Sequence, residues 1–207
     1  MKNNILLFVK YPNKGEVKTR LAKSIGDSKA VSLYKYFLDE ILLTLRGVSA
    51  AIWICYYPET SADDMVGWLG DNYYYVPQIG QDLGERLQHC FKMSFEKGFQ
   101  KTIVLASDIP EISEEIINNA FNSLDDNDVV IGPSYDGGYY LLGFREQSYV
   151  TGIFDDIVWS TNRVFKETLT KMESYNLKYS VLQKVADIDT IDDYSEYLMR
   201  KQKNIAL

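Results

Sequence analysis

The sequence predicts an α/β protein: a doubly wound, mostly parallel sheet with helices on both faces. Two observations carry that prediction. Short continuous apolar runs recur along the first two thirds of the chain, as expected of strands covered on both sides. Segments with helical apolar spacing separate them, so that strand and helix alternate four times in about 130 residues.

Ile5–Val9 is the first apolar run. A basic, glycine-bearing loop follows within Phe8–Ala22, and a helix-competent segment leaves that stretch. Residues Ser28–Arg46 form a helix, with Val31, Leu33, Tyr34, Phe37, Leu38, Ile41, Leu42 and Leu45 on its apolar face. Ala50–Tyr56 is the second strand, closed by Pro58. Ser61–Leu69 is a short helix with Ser61 as N-cap and Asp63 and Asp64 in its first turn. Tyr73–Pro77 is the third strand, and the loop Gly80–Arg86 opens a helix that reaches Lys97, with Gly98 as its stop.

Thr102–Ala106 is the fourth strand, Ser113–Leu124 a helix capped by Ser113, and Val129–Gly132 the fifth strand. The pattern then changes. Asp136–Phe144 reads as a turn into a strand antiparallel to the rest. A helix over Thr161–Ser174, with Thr161 placed to cap it, a strand over Leu177–Gln183 and a terminal helix over Thr190–Lys201 complete the chain. No repeat or linker interrupts residues 1–207, which read as one domain.

Composition excludes several classes of function. The chain has 207 residues, 46% hydrophobic and 25% charged, enough for a core without disulfide staples. A net charge of -7 argues against binding a nucleic-acid polymer. Cys55 and Cys90 lie in different elements without metal-ligand spacing and read as free buried thiols, which suits a reducing cytoplasm. No apolar stretch approaches the roughly 18 residues of a membrane span, and the N-terminus lacks a signal peptide's apolar region. The reading is a cytoplasmic protein. The single histidine, His89, falls inside a helix and reads as a satisfied structural residue, which leaves histidine-based nucleophile schemes without material. Most of the sixteen tyrosines read as core and surface packing, and no site is drawn from them.

Ligands of open α/β sheets bind beyond the carboxyl ends of the strands, and the unusual loops fall there. After strand one come Lys10, Lys14, Gly15, Lys18 and Arg20, a concentration of positive charge in an acidic chain. In the functional reading such a loop suits a polyphosphate, with Lys18 and Arg20 on the phosphates and Gly15 letting backbone approach; a solvated loop with charges scattered by chance is the alternative. It is neither a Walker loop nor G-x-G-x-x-G. After strand three, Gly84-Glu85-Arg86 presents Arg86 to a phosphate or a base; an ordinary helix start explains the same residues.

After strand four, Asp108 is placed to hold Mg²⁺ or Mn²⁺ together with phosphate oxygens, or to act as a turn residue. After strand five, Asp136-Gly137-Gly138 reads as a tight turn, or as backbone set against a ligand with Asp136 on a hydroxyl or on metal-bound water. Trp159-Ser160-Thr161 closes an acceptor pocket in the functional reading. Thr190 is placed to cap the last helix, and Asp187 and Asp189 share one side of an extended stretch; one completes the metal site and the other serves as a structural cap, with Asp189 preferred for the metal.

Six motifs stand in order: Phe8-Val-Lys-Tyr-Pro-x-x-Gly-x-Val-Lys-Thr-Arg-Leu21, Gly80-Gln-Asp-Leu-Gly-Glu-Arg86, Ser107-Asp-Ile-Pro110, Gly132-Pro-Ser-Tyr-Asp-Gly-Gly-Tyr-Tyr140, Ile157-Val-Trp-Ser-Thr161 and Asp187-Ile-Asp-Thr190. Together they resemble the DUF2064 family, whose members often carry a provisional glycosyltransferase label. That family lies within the nucleotide-diphospho-sugar transferase superfamily. The resemblance implies its three-layer GT-A fold. The first loop and the terminal Asp-Ile-Asp-Thr are also similar to those of 2-phospholactate guanylyltransferases, and the latter to molybdenum-cofactor nucleotidyltransferases. These resemblances imply a nucleotide over the first loop, with Lys18 and Arg20 on its phosphates and Asp108 on the metal. Sugar-transferring members commonly carry Asp-x-Asp after the fourth strand; Ala106-Ser107-Asp108 has one carboxylate there.

The leading expectation is therefore Mg²⁺-dependent nucleotidyl transfer from a nucleoside triphosphate to a small phosphorylated acceptor, with Lys18, Arg20, Asp108 and Asp136 in the chemistry. Glycosyl transfer from a nucleotide sugar is the alternative, with Asp136 activating an acceptor hydroxyl. A catalytically silent nucleotide-binding protein is the third.

Overall fold

The computed structural model describes residues 2–205. In chain order the strands are β1 (Asn3–Lys10), β2 (Ala51–Tyr57), β3 (Tyr74–Pro77), β4 (Lys101–Ala106), β5 (Val129–Pro133), β6 (Tyr139–Arg145) and β7 (Tyr179–Val181). The helices are α1 (Thr19–Ile25), α2 (Asp27–Leu45), α3 (Ala62–Leu69), α4 (Leu83–Glu96), α5 (Glu114–Asp126), α6 (Val164–Ser174) and α7 (Ile191–Ile205). Among the described residues none of these helices is long and apolar enough to cross a membrane.

All seven strands join one sheet in the order β3-β2-β1-β4-β6-β5-β7. β6 alone runs against its neighbours: it pairs antiparallel with β4 on one side and β5 on the other, while every other pairing is parallel. The antiparallel strand expected after Asp136 is thus inserted in the sheet and not added at its edge. The register sets Leu7 beside Ile54 and Leu105, which aligns the ends of β1, β2 and β4.

Alternation along β1 divides the core. Ile5, Leu7 and Val9 face α2 and α5, packing against Leu38, Ile41 and Leu45 and against Ile117, Ala120 and Phe121. Leu6 faces the other way, into a layer formed by Leu87, Cys90 and Phe91 of α4 and Met172 of α6. Each such fully buried side chain contributes about 1.5–3 kcal/mol relative to exposure, which is why the apolar runs define the sheet. Phe37 of α2 meets Ile188 and Tyr197, docking α7 beside α2.

Local chemistry changes several boundaries. Ser61 precedes α3, but its hydroxyl donates to the carbonyl of Pro58 (2.6 Å) and does not accept from the helix, so it is no side-chain cap. α6 starts three residues later than the pattern suggests. Ser160 is left-handed (φ 62°), and the Thr161 hydroxyl donates back to the Val158 carbonyl (2.7 Å); Arg163 occupies the N-cap. β7 keeps only Tyr179–Val181 of the run Leu177–Gln183, the part that finds β5 as partner. Ser113 caps α5 as expected, accepting from the Ile116 N–H (3.3 Å), and Gly98 ends the α4 region at φ 80°. Cys55 and Cys90 are both free and buried. His89 departs from expectation: its Nε2 is buried without a partner among the described residues, and burial holds its pKa below the usual value.

Candidate active site

The carboxyl ends of β1 and β4 lie side by side, and the polar loops meet beyond them. From β1 the chain enters the basic loop. Gly15 turns it at φ 79° with open space around it. Lys18 then occupies the N-cap of α1 in a left-handed conformation (φ 48°, ψ 43°). A non-glycine residue held there costs on the order of 1–2 kcal/mol and persists only where its surroundings enforce it.

Those surroundings are two carboxylates. The Lys18 side chain is 4% exposed, and its Nζ lies 3.2 Å from Asp108 Oδ2 and 3.0 Å from Asp189 Oδ1. Burial works to lower its pKa, but the charges and hydrogen bonds of Asp108 and Asp189 outweigh burial and raise it. Arg20 is 70% exposed and approaches the other Asp189 oxygen at 3.8 Å.

Asp108 lies two residues past the end of β4. Its backbone carbonyl accepts from the Ile188 N–H (3.2 Å), which pins the segment before α7 to the end of the sheet. Ile188 is fully buried on one side of that segment, so Asp187 and Asp189 turn to the other, as the alternation requires. One carboxylate oxygen from each of Asp108, Asp187 and Asp189 lies within 4.8 Å of the others. Burial, followed by the neighbouring charges of Asp108 and Asp136, pushes Asp187 up to about 6. Oxygen-only donors gathered at this density suit a hard divalent cation, and the Lys18 ammonium among them already marks the place as one that attracts positive charge.

Neither Asp187 nor Asp189 serves as the helix cap. Thr190 and Asp193 do: the Thr190 N–H and hydroxyl donate to Asp193 Oδ2 (2.7 and 2.8 Å), and the Asp193 N–H returns to the Thr190 hydroxyl (3.3 Å). The Asp189 N–H joins the same oxygen (3.1 Å), so the cap of α7 also orients Asp189. The spacing Thr-x-x-Asp is a capping-box signature and was available in the sequence.

Asp136 reaches the same cleft, with one oxygen committed to its own turn. Oδ1 accepts from the Ser134 hydroxyl and the Gly138 N–H (2.9 Å). Gly137 stands at φ 92°, where a Cβ would lie 2.2 Å from the Asn162 carbonyl oxygen; its own carbonyl accepts from the Phe165 N–H (2.9 Å). The turn is therefore pressed against the segment entering α6.

Arg86 lies along the cleft on the β1–β2 side. Its Nε donates to the Gly80 carbonyl (3.1 Å) and its guanidinium sits 4.2 Å above the Tyr57 ring, with Lys10 Nζ 5.9 Å from the same ring. Gly84 is not beside it. It is buried in the first turn of α4, where a Cβ would meet the Trp159 ring at 3.0 Å and the Phe154 carbonyl at 3.1 Å, so its small size serves helix packing. Two residues in this wall have no distinctive sequence signal. The Tyr34 hydroxyl accepts from the Lys10 N–H (3.0 Å) and contacts the Ser107 hydroxyl (3.1 Å), so a core-packed tyrosine also supplies a polar tip to the cleft. Gln78 is nearly buried, its amide donating to the Cys55 carbonyl (2.7 Å).

Three adjoining hollows of about 410, 630 and 760 Å³ all border Arg20 and Asp189. The first holds Lys18, Gln78 and Arg86; the second runs toward Asp193 and Arg200; the third is walled by Gly138, Trp159, Ser160 and Thr161. An anion against Lys18 and Arg20 would thus have the carboxylate group on one side and a roomy polar hollow on the other.

This arrangement of loops over a mixed sheet has known counterparts. A family model described as an uncharacterized protein conserved in bacteria, DUF2064, matches residues 42–161. The chain belongs to this family. It is 38% identical to a crystal structure from Desulfovibrio desulfuricans G20, provisionally named a nucleotide-diphospho-sugar transferase, with a TM-score of 0.90 over 94% of this chain and 85% of that one. It is also 24% identical to the 2-phospho-L-lactate guanylyltransferase of Methanocaldococcus sp. (strain FS406-22), over 87% of this chain and 75% of the relative. At 11% identity, the CMP:2-keto-3-deoxy-manno-octonic acid synthetase complexed with CTP shares the fold, with a TM-score of 0.60 over 98% of this chain and the whole of the other. The family's fold is that of nucleotide-diphospho-sugar transferases and is shared with nucleotidyltransferases.

Proposed function

We propose that the cleft catalyses divalent-metal-dependent nucleotidyl transfer from a nucleoside triphosphate to a small phosphorylated acceptor. One observation carries the reading: Asp108, Asp187 and Asp189 bring carboxylate oxygens within 4.8 Å of one another, directly beside Lys18 and Arg20 of the β1 loop. Cations for the phosphates and oxygen donors for the metal stand at one strand edge. The guanylyltransferase relative and the CTP complex of the shared fold agree with it.

Asp108, Asp187 and Asp189 would hold the Mg²⁺ or Mn²⁺, whose chemistry is to neutralise phosphate charge and orient its oxygens. Lys18 and Arg20 would take the charge of the triphosphate, with Lys10 and the Arg86–Tyr57 stack flanking it. The hollow beside Gly138, Trp159 and Thr161 would receive the acceptor. An acceptor phosphate oxygen attacks the α-phosphorus in line; the new P–O bond forms as the bond to pyrophosphate breaks. The nucleophile is already an anion, so no general base is needed. Glycosyl transfer from a nucleotide sugar is the second reading, favoured by the provisional name of the 38%-identical relative.

The leaving group separates the two. The protein is to be incubated with Mg²⁺, phosphorylated acceptors and either each triphosphate or each nucleotide sugar, and products identified by mass spectrometry. Pyrophosphate released from one triphosphate, with a nucleotidylated acceptor, is the expected result. A nucleoside diphosphate released only from a sugar donor would replace this reading with glycosyl transfer. Ligand binding without release of either would leave a silent nucleotide-binding protein.

A further inference from the structure

Lys18 stands where two different jobs meet. The proposed reaction, on which this inference rests, needs its ammonium on a phosphate and needs the carboxylates on a metal. In the structure the ammonium is instead among the carboxylates, 3.2 Å from Asp108 and 3.0 Å from Asp189, on a side chain that is 4% exposed. Asp108 and Asp189 are two of the three residues that come within 4.8 Å as a candidate metal group. A divalent ion on those oxygens would sit against the ammonium, and two cations repel strongly at such a separation.

The ammonium has somewhere else to go. Lys18 lines the first hollow together with Thr19, Arg20 and Ser107, and a flexible four-carbon stem carries its ammonium. A triphosphate in that hollow offers the ammonium new anionic partners. The second cation near the group, Arg20, is 70% exposed and lies at 3.8 Å, too loosely held to guard it in the same way.

We propose that Lys18 is a built-in counter-ion that keeps divalent metal off the carboxylate group until a triphosphate draws its ammonium away. Metal and triphosphate then bind as a coupled pair, each raising the affinity for the other. The device pairs Asp108 and Asp189 with a fixed positive charge and ties their release to the arrival of the donor.

The test is Mn²⁺ binding to the protein alone, without nucleotide or acceptor, followed by electron paramagnetic resonance. Lys18→Met is expected to bind Mn²⁺ about tenfold or more tightly than the parent, within the usual range of coupling between sites. Asp108→Asn added to it should abolish the gain, which shows that the ion is at this group. Far-UV circular dichroism checks the fold, and Lys18→Gln, closer in length and polarity, replaces the methionine variant if that one unfolds. Equal Mn²⁺ affinity in parent and variant, within twofold and sensitive to Asp108→Asn in both, would overturn the counter-ion role while leaving the metal site standing. No Mn²⁺ bound by either protein would overturn the metal site and the counter-ion role together.

Discussion

The two walls of the cleft are built differently. The basic wall comes from the first half of the chain: Lys10, Lys18, Arg20 and Arg86, long side chains placed by stacking and ion pairing, as Arg86 is over Tyr57 and Lys18 is between two aspartates. The acidic wall comes mainly from the second half: Asp136, Asp187 and Asp189, short side chains placed by backbone. The Gly138 N–H holds Asp136, the Ile188 N–H ties its segment to Asp108, and Asp193 holds Asp189 and Thr190. Asp108, at the end of β4, is the seam. The contrast teaches where each wall yields: the basic wall can move its charges without moving the chain, whereas the acidic wall can move them only by moving backbone.

Breaking the seam should have the largest effect. Asp108→Asn removes a charge common to both walls and is expected to lower turnover about 10²–10³-fold, the usual scale for losing one fixed electrostatic group at a reacting centre. A loss under tenfold in a folded variant would detach Asp108 from the chemistry.

The glycines sharpen the comparison next. Gly137→Ala puts a Cβ 2.2 Å from the Asn162 carbonyl oxygen at φ 92°, and the acidic wall has no slack to absorb it. A loss of about 2–3 kcal/mol is expected, a fall in melting temperature of about 4–12 °C for a chain of this size. Gly15→Ala, at φ 79° in open space on the basic side, should cost only about 1 kcal/mol. Equal losses in thermal denaturation would mean that the two loops are equally constrained.

The smallest effect concerns the cap. Thr190→Val removes the hydroxyl from the Thr190–Asp193 box and should cost about 1 kcal/mol, as should Ser113→Ala at the start of α5. Only the first is expected to weaken Mn²⁺ binding, by a few-fold, because Asp193 also holds the Asp189 backbone. If both variants leave Mn²⁺ affinity unchanged, the α7 cap is structural alone.

Local pattern carried much of this. Apolar runs marked the strands because burial on both faces forbids polar residues there, and the Ser113 cap and the Gly98 stop followed from orphan N–H groups and positive φ. The same rules misplaced Ser61 and Thr161, whose hydroxyls found nearer carbonyls. The packing of Gly84 against Trp159 was not legible for a different reason: a glycine beside a ligand and a glycine under a tryptophan look alike until the partner is known. Tyr34 and Gln78 had no signal at all, since a cleft tyrosine is indistinguishable in sequence from a packing one.

The sequence by itself determined the order of strands and helices, the concentration of positive charge after β1, and the alternation that sets Asp187 and Asp189 on one side. Those features depend on periods of two or 3.6 residues and on neighbours a few positions away. Only the tertiary structure decided that β6 lies between β4 and β5, that Asp189 reaches Lys18 across 171 positions, and that the ammonium rests among the carboxylates. Such contacts follow from which strands lie side by side, a choice made by the summed burial of the whole sheet, to which no short stretch holds the key.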